Sequence, residues 1–226
     1  MIVLYHCAGA RSFRPLWTLE ELGLPYAMKV MPFPPRVSHK AYLQVNPLGT
    51  VPAFFDGELR MTESVAISQY LVTRYGPSPL AVNVDEADYG RWLNWQYFGE
   101  ATLTFPQTLV LRYTHLEPPE RRNPQIAEDY AKWFLARLRG IDAVVALQET
   151  MCAGRFTTAD ISVGYALVLA TYLGLNDRFP SAVVDYFARL QARGGYQRAV
   201  AAETRVAQEQ GVNFDLGEFL ANKSPG

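Results

Sequence analysis

The chain has 226 residues, 49% of them hydrophobic, and a formal net charge of −1, enough for one large or two small domains with a sizeable core. It has no basic run or Lys/Arg stripe, which excludes nucleic acid as the expected partner, and no apolar run of membrane-spanning length. Cys7 and Cys152 give no disulfide framework and no metal-ligand spacing, and Met1 leads into an apolar segment too short for a signal peptide, so a metal-free protein of a reducing cytoplasm is expected.

Ile2-Val3-Leu4-Tyr5-His6 reads as a buried strand, and Cys7-Ala8-Gly9-Ala10 as a loop. A helix runs through Leu16, Leu19 and Leu22 and stops at Gly23, just before Pro25. Pro15 fits its first turn, where N–H groups lack intrahelical partners. Tyr26 to Met31 reads as a second strand, which makes the first pair parallel with a right-handed crossover. Ser38 to Val45 has room for one short helix.

Asn46, Pro47 and Gly49 punctuate a turn. Pro52 follows Val51 directly, so it sits at a sheet edge or takes a cis bond in a tight turn. A cis bond would face the backbone groups of Val51 toward a partner. Phe55-Asp56-Gly57-Glu58 is a two-residue hairpin signal, with Asp-Gly in the type I′ positions. Thr62-Glu63-Ser64 precedes apolar residues at helical spacing up to Tyr75, so Glu63 and Ser64 stand at a helix N-terminus, where free N–H groups bind anions. Val51 can pair with an extended peptide as an added strand. Ser64 and the helix start can hold a carboxylate, and Glu63 an ammonium group.

Gly76-Pro77-Ser78-Pro79 ends this helix, and 77–84 reads as a linker. Asp85 and Asp88 then form an N-cap with an acidic third position. The next helix is crowded with Tyr89, Trp92, Trp95, Tyr97, Phe98 and Phe105, and Pro106 kinks it or ends its first section. Glu117 to Glu120 is a loop, and Asn123-Pro124 is a cap with proline at the first helical position. Thr157 and Asp160 form a capping box, flanked by Phe156 and Ile161 at the staple positions, before an apolar helix to Leu173. Phe179 to Arg193 is a further helix, and 211–226 is a peripheral tail.

The N-P-x-G-x-V-P turn at 46–52 and the Glu63-Ser64 helix start resemble the glutathione S-transferase family, over about residues 1–200. The stretch Ser12-Phe13-Arg14-x-Leu16-Trp17 is most similar to bacterial and fungal members whose first helix reads S-R-S-x-R-x-L-W. The resemblance implies an α/β thioredoxin-like domain over 1–76, matching the strand and helix order above, and an all-α helical-bundle domain over 85–210. It implies glutathione as co-substrate, held by Thr50, Val51, Pro52, Glu63 and Ser64, and a homodimer. It also implies a pocket for an apolar electrophile near Tyr97, Thr102, Phe105 and Leu109. The family's thiol-activating group comes from the loop before the first helix, where this chain has Gly9-Ala10-Arg11-Ser12. Ala10 stands where a serine is often found. Ser12 is then the nearest hydroxyl, or a cap for the first helix. Arg11 can hold the thiolate by its charge. Cys7, near a helix N-terminus, is a second candidate and would imply disulfide reduction. The expected activity is conjugation of glutathione in detoxification. The alternatives are a glutathione-dependent thiol–disulfide reductase and a non-catalytic glutathione-binding protein.

Overall fold

The computed structural model describes residues 1–212 together with Gly217 and Leu220, so most of the expected tail lies outside the described residues. The chain forms two compact units, divided between Ala81 and Val82, and it leaves the second for the first again after Leu190.

The first unit contains β1 (Ile2–His6), α1 (Phe13–Leu22), β2 (Tyr26–Val30), α2 (Pro35–Ser38), β3 (Ala53–Asp56), β4 (Leu59–Met61) and α3 (Ser64–Arg74). The single helix expected over 38–45 is instead α2 followed by a 3-10 segment, Lys40–Gln44. The sheet order is β2-β1-β3-β4. β1 runs parallel to β2, with Ile2 beside Tyr26, and antiparallel to β3, with Tyr5 beside Ala53. This is the expected thioredoxin-like arrangement. α1 ends as its sequence implies: Gly23 takes a left-handed conformation (φ 64°) and its N–H closes on the Leu19 carbonyl. The β3–β4 turn falls one residue later than expected. Asp56 still pairs with Leu59, so Gly57 and Glu58 make the turn. Only Gly57 (φ 58°) of the two has positive φ, the pattern of a type II′ turn rather than type I′.

The second unit contains α4 (Tyr89–Tyr97), α5 (Phe105–Leu111), α6 (Pro124–Val145), α7 (Thr158–Tyr172) and α8 (Ser181–Gln191). A π-helical stretch, Phe98–Thr104, joins α4 to α5, and Pro106 sits in the first turn of α5. The wide turn there lets the Thr104 hydroxyl donate to the Gly99 carbonyl (2.7 Å). Asp85 lies before α4, and Asp88 does not cap it with its side chain. Asp88 instead pairs with Arg91 (3.0 Å) and accepts from the Ala153 N–H (2.7 Å). α7 is buried continuously from Thr158 to Ala170, as a helix apolar on every face should be. Its capping box is formed. The Asp160 carboxylate accepts from the N–H groups of Thr157 (2.9 Å) and Met151 (2.8 Å) and from the Tyr186 hydroxyl (2.9 Å). Asn123 caps α6 by accepting from the Ile126 N–H (3.0 Å). Among the described residues no helix is long and apolar enough to cross a membrane.

A further helix, α9 (Gly194–Glu209), belongs to the first unit, although the sequence places 85–210 in one helical domain. Every residue of α1 from Phe13 to Leu19 is buried, which no one-sided packing achieves. α3 covers one side, where Thr18 pairs with Ser68 (2.9 Å). α9 covers another, where the Tyr196 ring meets Phe13 and Trp17 edge to face at 5.5 and 5.0 Å. Arg193 holds Glu21 through two nitrogens (2.8 and 3.0 Å), and Glu21 also accepts from the Trp17 indole N–H (3.0 Å). A side chain at Gly195 would strike Glu21, whose Cγ lies 2.6 Å from the position of a Cβ. Beyond α9, the Gln210 side chain bonds the Val30 N–H (3.0 Å) and Met28 C=O (2.8 Å) of the sheet-edge strand β2.

Candidate functional site

The turn before β3 is built by buried Asn46. Its amide oxygen accepts from the Leu48 N–H (3.2 Å), and its amide nitrogen donates to the Thr50 carbonyl (2.8 Å). The Tyr42 hydroxyl donates to that same carbonyl (2.6 Å). Gly49 closes the turn with φ 61°, and Arg36 Cβ lies 2.6 Å from where its own Cβ would be, so only glycine fits. The Val51–Pro52 bond is cis. Neither backbone polar group of Val51 has a hydrogen-bond partner among the described residues, although Val51 is only 9% exposed. A peptide strand laid along this turn would satisfy them.

The β3–β4 ladder pairs Phe54 with Met61. Continued by three residues, that register brings Val51 level with Ser64, at the start of α3. There the N–H groups of Ser64, Val65 and Ala66 precede the first intrahelical bond, Ile67 N–H to Glu63 C=O (2.9 Å). Glu63 is exposed, and its carboxylate does not cap the helix. Ser64 is buried and accepts from the guanidinium of Arg14 (3.1 Å), which is itself fully buried. With its oxygen occupied as acceptor, the Ser64 hydroxyl is left to donate outward. The buried Arg14 charge adds to the positive end of α3, and both favour an anion.

The loop 7–12 approaches from the other side. Cys7, Val51 and Ala53 share one apolar cluster, against which Ala10 packs. Two of the proposed thiol-handling groups are unsuited to that role. The Ser12 hydroxyl is fully buried, accepting from the Cys7 N–H (3.2 Å) and facing the Cys7 carbonyl (3.4 Å). It does not cap α1. Cys7 is also fully buried, with its thiol on the Pro32 carbonyl (3.8 Å), and burial pushes that thiol far up. A thiol so desolvated is no nucleophile at neutral pH. Arg11 is half-buried at the entry to α1.

The site thus gathers Val51, Pro52, Glu63, Ser64 and the loop around Ala10. Thr50 borders it with a carbonyl committed to the turn. Arg14 enters the sequence reading only through the Ser12-Phe13-Arg14 match, and its contact with Ser64 adds it to the candidate site. In the second unit, Tyr97 and Thr102 line one groove of about 510 Å³ with Leu93, Asn94, Phe98 and Ala101, whereas Phe105 and Leu109 are not part of it.

Residues 4–79 match the family described as glutathione S-transferase, N-terminal domain. Glutathione S-transferase 3 of Schizosaccharomyces pombe is 40% identical over 103 residues, 46% of this chain and 43% of that one, so that match spans under half of either. The probable glutathione S-transferase GSTF1 of Oryza sativa subsp. japonica is 41% identical over 209 residues, covering 83% of this chain and 90% of that one. Among solved structures, the glutathione transferase URE2P6 of Phanerochaete chrysosporium, in complex with oxidized glutathione, superposes with a TM-score of 0.77 at 26% identity, covering 91% of this chain and 97% of that one.

Proposed function

Because this chain belongs to the glutathione S-transferase family, we propose that it binds glutathione in the first unit and transfers its thiolate to an electrophilic carbon of an apolar substrate. The observation that carries the reading is the unpaired backbone of buried Val51 level with the start of α3. The ligand's peptide backbone bonds Val51 like an added strand. Its carboxylate takes the Ser64 hydroxyl and the α3 N–H groups over Arg14, and its ammonium pairs with Glu63. Thiolate formation falls to the first turn of α1. The Ser12 backbone N–H has no partner among the described residues, and it acts there with the helix dipole and the nearby Arg11 charge. No step uses a metal.

Ala10 and the committed Ser12 hydroxyl favour a second reading, a protein that binds glutathione without catalysis. A conjugation assay with 1-chloro-2,4-dinitrobenzene, run beside a disulfide-reduction assay, decides between them. The transferase reading expects conjugation that saturates with glutathione. Binding without either reaction would leave the non-catalytic reading, and reduction alone would restore the reductase one. The same reading includes a homodimer, a cytoplasmic location and a detoxifying role, supported by two free, buried cysteines and by the exposure of Tyr97 (53%) and Phe105 (56%).

A further inference from the structure

Three hydrogen bonds tie the loop 7–12 and its exit into α1 together. The Ala10 N–H reaches the Cys7 carbonyl (3.1 Å), the Cys7 N–H reaches Ser12 Oγ (3.2 Å), and the Phe13 N–H reaches the Ala10 carbonyl (2.9 Å). Cys7 and Ala10 pack on the Val51 cluster, and the loop is entered at His6 and left at Phe13. Both flanks are held by α9. The His6 side chain is fully buried, and its Nε2 lies 2.9 Å from Glu203 Oε2. Its other ring nitrogen, Nδ1, has no partner. A carboxylate only accepts, so the contact places a proton on Nε2, which donates to Glu203. At the other flank, the Phe13 ring meets Tyr196 at 5.5 Å. Tyr196 and Glu203 are seven residues apart, two turns along one face of α9.

We propose that Glu203, acting through His6, is a positioning residue for the loop 7–12, and that α9 sets where the thiol-stabilising groups of that loop stand. The proposal rests on the glutathione reading above, which places those groups at Ala10 to Ser12. The chemistry explains why such a clamp matters. A donor to a thiolate acts within a few tenths of an ångström, and a shift of about 1 Å in a reacting group costs on the order of a hundredfold in rate. Glu203 acts through its bond to His6. Its effect falls on thiol ionisation, whereas affinity for the peptide is left to Val51, Glu63 and Ser64.

The test compares Glu203→Ala and Glu203→Gln in the full chain. Glutamine keeps an amide oxygen for the His6 N–H, and alanine leaves that N–H buried and unpaired. Amide exchange over residues 7–12 should accelerate about tenfold in Glu203→Ala, with β3 and β4 unchanged. The midpoint of the pH profile of kcat/KM for conjugation should rise by about one unit, because weaker donors leave the bound thiol less acidic. At neutral pH kcat should fall about fivefold while KM for glutathione stays within about twofold. Glu203→Gln should restore both exchange and profile. If the alanine variant does not fold, Glu203→Asp, which retracts the carboxylate by one methylene, carries the same comparison. Wild-type loop exchange and pH profile in the alanine or aspartate variant would overturn the proposal, as would a glutamine variant no better than alanine. The exchange arm needs no catalysis. A wild-type chain that fails to conjugate therefore refutes the transferase reading alone, and exchange still decides whether Glu203 positions the loop.

Discussion

Glu63 occupies the N-cap position of α3, yet its carboxylate makes no cap bond and faces solvent. A carboxylate not spent on its own helix is available to a cation. An ammonium group bound there gains a charge-assisted hydrogen bond of about 2 kcal/mol. Glu63→Ala should therefore weaken glutathione binding more than tenfold, since about 1.4 kcal/mol is one factor of ten. Calorimetry returning the wild-type affinity would remove Glu63 from the site. The cysteines make the opposite kind of prediction. Burial disfavours the charged thiolate, pushing the Cys152 thiol up to about 11 and Cys7 higher still. Burial thus both disfavours the reactive form of each thiol and shields it from solvent. Ellman's reagent should label neither thiol in the native protein and both after denaturation in guanidinium. Fast native labelling of Cys7 would return disulfide reduction to consideration.

At the scale of elements, the start of α7 carries the most concentrated polar structure. Asp160 is fully buried and gathers two backbone N–H groups and the hydroxyl of Tyr186. Asp160→Ala would strand all three donors, and each unpaired buried group costs about 1–3 kcal/mol. Thermal or urea unfolding should show a loss of at least about 3 kcal/mol, with the proposed glutathione site in the other unit unaffected. A variant within about 0.5 kcal/mol of wild type would mean that water replaces the carboxylate there. This element was legible in advance because its partners lie close in sequence: Thr157 and Asp160 are three apart, as are Asn123 and Ile126. The Gly23 stop and the Val51-Pro52 turn were legible for the same local reason. What escaped depends on distant residues. The hairpin slipped by one position because the β3–β4 register decides which two residues turn, and no local signal overrides it. Gly195, inside the first turn of α9, is glycine because Glu21 leaves no room for a side chain, which no local signal reports. The burial of Arg14 and the engagement of the Ser12 hydroxyl follow from packing between elements that no spacing rule reports.

At the scale of the whole molecule, exposed aromatics on α4 and α5 and the family itself favour two chains per particle. Light scattering at micromolar concentration should give twice the mass of one chain, 25.4 kDa, and a particle of that single mass would reject the dimer. The stronger consequence concerns how the first unit is assembled. The chain leaves it at Ala81 and returns at Gln191, so the helix that completes it follows the main part of the second unit in the chain. Without α9, Phe13 and Trp17, now 1% and 0% exposed, lose one of their covers. Re-exposing two aromatic side chains costs up to about 2–3 kcal/mol each. Leaving His6 without its acceptor adds about 1–3 kcal/mol. Together these approach the 5–15 kcal/mol that typically holds a domain folded. A fragment ending at Ala81 should therefore fail to fold cooperatively, although it contains the whole sheet and every expected glutathione contact. Trp17 is the single tryptophan of that fragment, so its fluorescence reports the outcome directly. The fragment should show the red-shifted emission of a hydrated indole. Tethering residues 191–212 to it through a flexible Gly/Ser linker should restore the blue-shifted emission and a cooperative urea transition. A fragment 1–81 that unfolds cooperatively without α9 would show that the sheet with α1 and α3 is a self-sufficient domain, and that α9 only decorates it.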